Sequence, residues 1–170
     1  MYKLREIEKS DLIIINRLRS DKELMSCLVS PFRYINFETD EKWYSNYMQN
    51  RDKNVRCAVI DENETVMGFV YLTNIDWNNR TCVFGIMVLP EFQGKGVGKF
   101  AIKEMINHAF INMNLHRIEL RVLATNDRAI KLYEKNGFVR EGCLRKSNYK
   151  NGEYVDMFVY SLLKEDYIKG

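Results

Sequence analysis

The sequence has no long apolar run and little proline or glycine. Its longest apolar stretch near the N-terminus, residues 12–15, is too short for the core of a signal peptide, and no segment approaches the ~20 apolar residues of a membrane span. Only 2 prolines and 9 glycines occur among 170 residues, which argues against a flexible linker. We therefore expect a single domain over residues 1–170 that is cytoplasmic and has no membrane partner.

An excess of charge of one sign and a metal-binding pattern are also lacking. The 26 Lys and Arg residues nearly balance 23 Asp and Glu residues, leaving a net charge of +3, so no strong field argues for nucleic acid. The cysteines are Cys27, Cys57, Cys82 and Cys143. They form no C-x-x-C pair, and with only two histidines they match no zinc pattern. We expect reduced, buried structural thiols, no metal and no nucleic-acid partner.

Strand-like and helix-like segments alternate along the chain. Strands are predicted over residues 2–7, 55–60, 65–75, 82–89, 116–123, 138–145 and 154–163, the last two joined by the turn dipeptide Asn151-Gly152. Helices are predicted after a cap at Ser10 or Asp11, over residues 40–49, from residue 97 to 113 and over residues 126–135. This order predicts an α/β fold with a mixed, mostly antiparallel central sheet of about seven strands flanked by helices on both faces.

A glycine-rich turn, Gln93-Gly94-Lys95-Gly96-Val97-Gly98, lies between a predicted strand and a predicted helix. A helix N-terminus presents about four unpaired N–H groups and roughly half a positive charge, which attract phosphate. Glycines permit positive φ and remove the Cβ atoms that would block a diphosphate. The spacing matches neither dinucleotide folds nor a P-loop. The turn alone predicts an anion site of unspecified ligand, with a purely structural turn as the alternative.

Two motifs, in order, resemble the GCN5-related N-acetyltransferase (GNAT) superfamily. Its cofactor motif, Gln/Arg-x-x-Gly-x-Gly/Ala after a strand, is matched by Gln93, Gly96 and Gly98. Its second motif, an Asn before a short helix ending Leu-Tyr-Glu-Lys-x-Gly-Phe, is matched by Asn126 and residues 132–138. The resemblance implies transfer of the acetyl group of acetyl-CoA to a primary amine by direct attack in a ternary complex. The implied acceptor is a small-molecule amine (polyamine, amino acid or amino sugar) or a protein N-terminus.

The resemblance also implies roles for individual residues. The strand before the glycine turn would bulge and splay from the next strand, and the pantetheine arm would lie in that gap. The expected cofactor-binding residues are Ile86, Met87, Val88, Gln93, Gly94, Lys95, Gly96, Val97, Gly98 and Asn126. Tyr133 would protonate the departing thiolate, and it lies on the same helix face as Asn126 because seven residues separate them. An N-cap asparagine and a core tyrosine are the alternatives.

No residue matches the glutamate base that some relatives carry on the strand before Asn126, where Arg121 stands in this chain. Glu119, two residues earlier on the same strand face, is the candidate base, acting directly or through water. A solvated or salt-bridged Glu119 beside Arg117 and Arg121 is the alternative, as is a water chain to solvent.

The segment 31–47 commonly borders the acceptor site in the superfamily. It holds Phe32, Tyr34, Phe37, Glu38, Asp40, Glu41, Trp43, Tyr44 and Tyr47. These groups would suit a cationic amine, with helix packing and a solvated face as the alternative. Two other functions stay open, a non-catalytic acyl-CoA sensor and a site for another phosphate ligand such as a nucleotide sugar. A homodimer formed through the sheet edge is also compatible with the pattern.

Overall fold

A seven-stranded sheet runs through the molecule. The computed structural model describes residues 1–169. The strands are β1 (Lys3–Glu6), β2 (Val55–Ile60), β3 (Val66–Asp76), β4 (Thr81–Val88), β5 (Arg117–Leu123), β6 (Val139–Lys150) and β7 (Glu153–Leu163). Their order is β1-β2-β3-β4-β5-β7-β6. Only β4 and β5 pair in parallel, while the other neighbours are antiparallel, which confirms the predicted mixed sheet.

Helices cover both faces of this sheet. They are α1 (Leu12–Ser20), α2 (Lys22–Ser26), α3 (Phe37–Gln49), α4 (Val97–Asn107), α5 (Asp127–Glu134) and α6 (Lys164–Lys169). One hydrophobic cluster joins the sheet to α1 and α3, with Leu12 and Tyr47 at its centre. The other joins the sheet to α4 and α5, with Ile102 and Tyr133 among its buried members. The alternation of strand side chains between the two faces supplies both clusters.

Helix α4 is shorter than predicted. The stripe of Val97, Ala101 and Met105 is buried as expected, but the α-helix ends at Asn107 and a π-helical turn follows over His108–Asn112. The backbone N–H of Met113 bonds the carbonyl of His108, five residues back, at 3.0 Å. The wider turn lets two consecutive residues face the core, which the four-residue spacing of the stripe did not reveal.

Two helix starts differ from the prediction. The carboxylate of Asp11 does not cap α1, because it accepts hydrogen bonds from Arg5 at 2.8 Å and from the backbone N–H of Glu8 at 2.8 Å. Helix α3 begins at Phe37 rather than at residue 40, because the side chain of Asn36 accepts the N–H of Thr39 at 3.0 Å. Of these two helices, only α3 therefore has a side-chain cap that sets its first residue.

The C-terminal hairpin is longer than its apolar pattern suggested. Asn151 and Gly152 form the predicted turn, with φ of 50° and 91°. However, β6 extends to Lys150 and is exposed along nearly its whole length, so no buried face marks it in the sequence.

The cysteines are free thiols, but they are not all buried. Cys82 is buried, Cys57 is half-buried, and Cys27 and Cys143 are exposed. The prediction of buried thiols therefore fails for the exposed pair, because β6 is an edge strand and Cys27 follows a short surface helix. Over residues 1–169, no three His, Cys, Asp or Glu side chains group closely enough to hold a metal ion. None of the helices in this range is long and apolar enough to cross a membrane.

Candidate active site

Strands β4 and β5 separate at the centre of the sheet. They pair at only three positions, ending with Val83 opposite Glu119. Beyond that point, along the described chain, β4 continues to Val88 and β5 to Leu123 without further pairs. The predicted splay is therefore present, and it opens a gap that leads toward the glycine turn.

The expected bulge lies in a different strand. The register of β4 with β3 is unbroken from Val83 to Val88. The irregularity occurs in β3 between Thr73 and Asp76, where Asn74 adopts a left-handed conformation with φ of 51°. A continuous β4 can still splay, because the divergence comes from the missing β5 pairs rather than from an extra residue.

Backbone alternation decides which β4 groups face the gap. The N–H of Leu89 donates to the carbonyl of Met67 on the β3 side at 2.9 Å. In an antiparallel pair the bonding direction alternates along the strand, so Met87 also bonds toward β3 while Ile86 and Val88 turn their N–H and C=O groups toward β5. Of the three expected backbone contacts, Ile86 and Val88 face the gap and Met87 does not.

The glycine turn forms an open cradle at the start of α4. Gly94 and Gly96 have φ of 79° and 86°, and a Cβ atom on either would meet nothing within 4 Å. The first helical bond runs from the N–H of Phe100 to the carbonyl of Gly96 at 3.0 Å, so the N–H groups of the preceding helical residues lack a partner one turn back. This geometry suits an anion.

Gly98 lies in a different environment. It lacks the positive φ of the other two glycines, and a Cβ atom there would lie 3.4 Å from Leu132 of α5 and 3.8 Å from Val88 of β4, which are ordinary packing distances. Gly98 therefore faces α5 and β4 rather than open space, and the cofactor-binding role of all three glycines stays a prediction.

Side chains from distant parts of the chain hold the turn in place. Gln93 donates to the carbonyl of Val88 at 3.1 Å and accepts from Arg128 in the first turn of α5. The hydroxyl of Tyr2 donates to the carbonyl of Lys95 at 2.9 Å. Nothing in the sequence pattern indicated Tyr2 or Arg128, because both contacts depend on how the elements pack.

Asn126 caps α5 and also reaches the opposite face of the sheet. Its side-chain oxygen accepts the N–H of Ala129 at 3.1 Å, and its amide donates to the carbonyl of Cys27 at 2.9 Å. The N-cap alternative is thus confirmed, and Asn126 stays a predicted cofactor residue.

Tyr133 packs in the cluster on the face of α4 and α5 and is 6% exposed. Its ring contacts those of Phe84 and Phe138, with centroids 6.2 and 6.0 Å away. Burial raises the pKa of Tyr133, and the nearby phenol of Tyr71 raises it further. Tyr133 is therefore neutral at physiological pH and able to donate a proton.

Glu119 is engaged in an ion pair. Its carboxylate accepts from Nε of Arg117 at 3.0 Å, and the same guanidinium donates to Glu141 at 2.8 Å. Glu119 also lies at the last β4–β5 pair, at the edge of the gap. The structure has the salt-bridged arrangement that was the alternative to a free base, and the catalytic role of Glu119 stays a prediction.

The aromatic and acidic groups of segment 31–47 are largely satisfied by the protein's own cations. Asp40 is fully buried and accepts from Arg19 and from Asn16. Arg19 and Arg56 both stack on Trp43, at 4.6 and 5.0 Å from its ring centroid. These contacts match the packing alternative for the part of the segment in α3.

Arg56 forms no ion pair with any carboxylate within residues 1–169. Its guanidinium lies over the rings of Trp43, Tyr47 and Tyr71, at 5.0, 5.9 and 5.2 Å. Its Nε is buried without a hydrogen-bond partner among the described residues. Burial lowers the pKa of Arg56, and three rings replace an ion pair in stabilising the charge.

Known proteins resemble this chain over nearly its whole length. A family model for the acetyltransferase (GNAT) domain matches residues 2–139. Spermidine N(1)-acetyltransferase of Vibrio cholerae is 33% identical over 165 residues, 97% of this chain and 94% of the relative. The Escherichia coli K12 spermidine N(1)-acetyltransferase is 29% identical over 98% of this chain and 88% of the relative.

The fold comparison agrees with the sequence comparison. The crystal structure of spermidine N-acetyltransferase from Vibrio cholerae in complex with CoA and spermine superposes with a TM-score of 0.93 and 32% identity, covering 98% of each chain. The chain therefore belongs to the GNAT family and is an acetyl-CoA-dependent N-acetyltransferase.

Proposed function

We propose that the chain acetylates a primary amine of a small polyamine of the spermidine class. The observation that carries this proposal is the β4–β5 gap beside an open glycine cradle, in a chain that superposes over 98% of its length on a spermidine N-acetyltransferase holding CoA and spermine. The polyamine is the acceptor of those relatives, and similarity over the full length supports the same class here.

The residues present fit acetyl-CoA. The free N–H groups around Gly94 and Gly96 would hold the pyrophosphate, with the charges of Lys95 and Lys99 at the rim. The outward N–H and C=O groups of Ile86 and the N–H of Val88 would hold the pantetheine amides, as a β-strand partner would, while the Val88 carbonyl accepts from Gln93. The cofactor supplies the activated thioester.

Positioning accounts for most of the rate enhancement. An alkylammonium with a pKa near ~10.4 is only about one part in a few thousand neutral at pH 7, which adds roughly 4 to 5 kcal/mol to the barrier. Holding the amine against the thioester offsets on the order of 7 to 11 kcal/mol. Tyr133 then protonates the sulfur as the C–S bond breaks. Its raised pKa keeps the phenol protonated but makes it a weaker acid, so the contribution of this proton transfer lies toward the lower end of ~10² to 10⁴.

Glu119 would accept the proton of the amine through water, because Arg117 holds its carboxylate at the edge of the gap. Glu119→Gln and Glu141→Gln form a matched pair, since each removes one carboxylate partner of Arg117. A base role predicts that only Glu119→Gln lowers kcat/KM. Equal kinetics of the two variants would show that Glu119 is structural.

An acceptor panel tests the proposal. Thiol release from acetyl-CoA is measured with spermidine, spermine, a diamine, lysine, an amino sugar and peptides with free N-termini. We expect the highest kcat/KM for a polyamine. No acceptor-dependent release, with retained CoA binding in calorimetry, would favour a regulatory sensor, whereas binding of a nucleotide sugar in place of CoA would refute the cofactor assignment.

A second acceptor class is favoured by the unpaired guanidinium of Arg56. A buried cation on the acceptor side suits an amine that also carries a carboxylate, such as an amino acid, and it disfavours a polycation. In the same panel this class predicts that lysine exceeds spermidine. Arg56→Met would then raise the KM for lysine, whereas a polyamine acceptor predicts an unchanged or lower KM for spermidine.

A further inference from the structure

The ring of Tyr71 covers Gly85 on the neighbouring strand. The two residues are directly opposite in the β3–β4 register. A Cβ atom on residue 85 would lie 2.1 Å from Cε2 of Tyr71 and 2.6 Å from its hydroxyl oxygen. The far end of the tyrosine therefore occupies the space that a Cβ atom at position 85 would take, so a side chain there requires the Tyr71 ring to move.

This arrangement brings the Tyr71 hydroxyl to the gap. Gly85 lies two residues past Val83, the last β4 residue paired with β5. The ring thus extends from β3 across β4 toward the splayed region. The guanidinium of Arg56 lies 5.2 Å from the ring centroid, and Arg56 is the β2 residue opposite Tyr71, so the ring is held from behind.

Tyr71 and Tyr133 approach the gap from opposite faces of the sheet. Val70 and Leu72, the neighbours of Tyr71 on β3, belong to the cluster under α4 together with Tyr133. Because strand side chains alternate, Tyr71 lies on the face of α1 and α3, beside segment 31–47. Tyr133 belongs instead to the cluster on the face of α4 and α5, so the two side chains lie on opposite faces of the sheet.

The Tyr71 hydroxyl is not used by the fold. Within residues 1–169 it makes no hydrogen bond, yet it is not among the polar atoms sealed from solvent. A tyrosine hydroxyl in a packed position usually finds a partner. Burial raises the pKa of Tyr71, so the phenol is neutral and its oxygen is free to accept a hydrogen bond.

We propose that the Tyr71 hydroxyl binds the attacking amine and directs the lone pair of the amine nitrogen at the thioester carbonyl, while Tyr133 protonates the sulfur from the other face. One N–H of the neutral amine donates to the Tyr71 oxygen. The C–N bond forms, the C–S bond breaks, the surplus proton on nitrogen leaves to water, and the thiolate takes the proton of Tyr133, which solvent restores. This inference rests on the proposed acetyl transfer and holds for either acceptor class.

Tyr71→Phe tests the proposal, because it keeps the ring over Gly85 and removes only the oxygen. With spermidine and with lysine as acceptors, we expect kcat/KM for the amine to fall about tenfold, as for one lost hydrogen bond of roughly 1.4 kcal/mol. The Kd of CoA and the unfolding midpoint are expected to match the wild type. Tyr149→Phe, on the exposed end of the hairpin, is the matched control and should change nothing.

Gly85→Ala provides a second route to the same site, since its Cβ atom displaces the Tyr71 ring. It should lower kcat/KM for the amine with CoA affinity retained. Wild-type kcat/KM in Tyr71→Phe would overturn the proposal. A loss of CoA affinity as large as the loss of kcat/KM for the amine would also overturn it, because it would show that Tyr71 supports the fold rather than the bound amine. A wild-type chain that releases no CoA with either amine would instead overturn the proposed function.

Discussion

Asn126 donates its side-chain amide to the carbonyl of Cys27, across 99 positions of sequence, at 2.9 Å. The residue that begins α5 thereby holds the segment that follows α2. Lys150 donates to the carbonyls of Met25 and Ser30 from the hairpin, so two side chains hold the residues just before segment 31–47 against the other half of the molecule.

Substitution of Asn126 separates its two contacts. Asn126→Ala removes the cap and is expected to lower the free energy of unfolding by about 1 kcal/mol. Asn126→Asp keeps an oxygen at the helix N-terminus and should preserve stability, but it cannot donate to Cys27. We expect both variants to raise the KM for the amine, measured beside denaturant unfolding. Wild-type kinetics in the Asp variant would show that the Cys27 contact has no role in acceptor binding.

Gly96 and Gly152 allow backbone strain to be separated from ligand contact. Both have positive φ, 86° and 91°, and both face open space. Alanine at either site should lower the free energy of unfolding by a similar amount, about 1 kcal/mol. Only Gly96→Ala is expected to weaken CoA binding in calorimetry, and Gly96→Glu should abolish it. Equal CoA affinity in Gly96→Glu and the wild type would refute the cradle.

Loss of the Tyr133 hydroxyl should reduce turnover without reducing cofactor affinity. For Tyr133→Phe we expect kcat to fall on the order of 10²-fold. Activity requires the protonated phenol, and burial raises the pKa of Tyr133 above its usual ~10, so activity is retained as pH rises and is lost only above that value. The kcat profile of the wild type should show no Tyr133-dependent decline between pH 7 and pH ~9.5. An alkaline decline in that range that vanishes in Tyr133→Phe would contradict the raised pKa.

The thiols should divide into two classes. Burial raises the pKa of Cys57 to about 11 and of Cys82 to about 12, so almost no thiolate exists there at pH 8 and both should resist an aromatic disulfide reagent until the chain unfolds. Cys27 and Cys143 are exposed and should react in the folded state. The variant with Ser at both exposed positions serves as the control, and a fast phase that persists in it would contradict the assignment.

The sequence predicted those parts of the fold that are determined by residues close together in the chain. The strand, glycine turn and helix over residues 82–107 follow from an apolar run, three glycines and a four-residue stripe, all within a short window. The Asn151-Gly152 hairpin turn follows from backbone preference alone. The two GNAT motifs could be recognised for the same reason, since each motif is contiguous, and the catalytic role of Tyr133 stays a prediction.

Features that depend on register could not be predicted. To predict the contact of Tyr71 with Gly85, one must know which β3 residue lies opposite which β4 residue. In the sequence, Gly85 is only a single glycine within an apolar run. Arg56 lies among rings drawn from α3 and β3, and no spacing rule joins these elements. The predicted β6 was too short, because this exposed edge strand has no buried face and its polar residues gave no strand pattern.

The short β4–β5 junction gives the molecule two half-sheets, β1–β4 and β5–β7–β6, that share only three residue pairs. A cofactor that bonds Ile86 and Val88 from within the gap, as proposed above, would take the place of a strand segment beside β4. Its binding would then stabilise the sheet at its weakest junction. At one hundred times its Kd such a ligand adds about 2.7 kcal/mol to the free energy of unfolding.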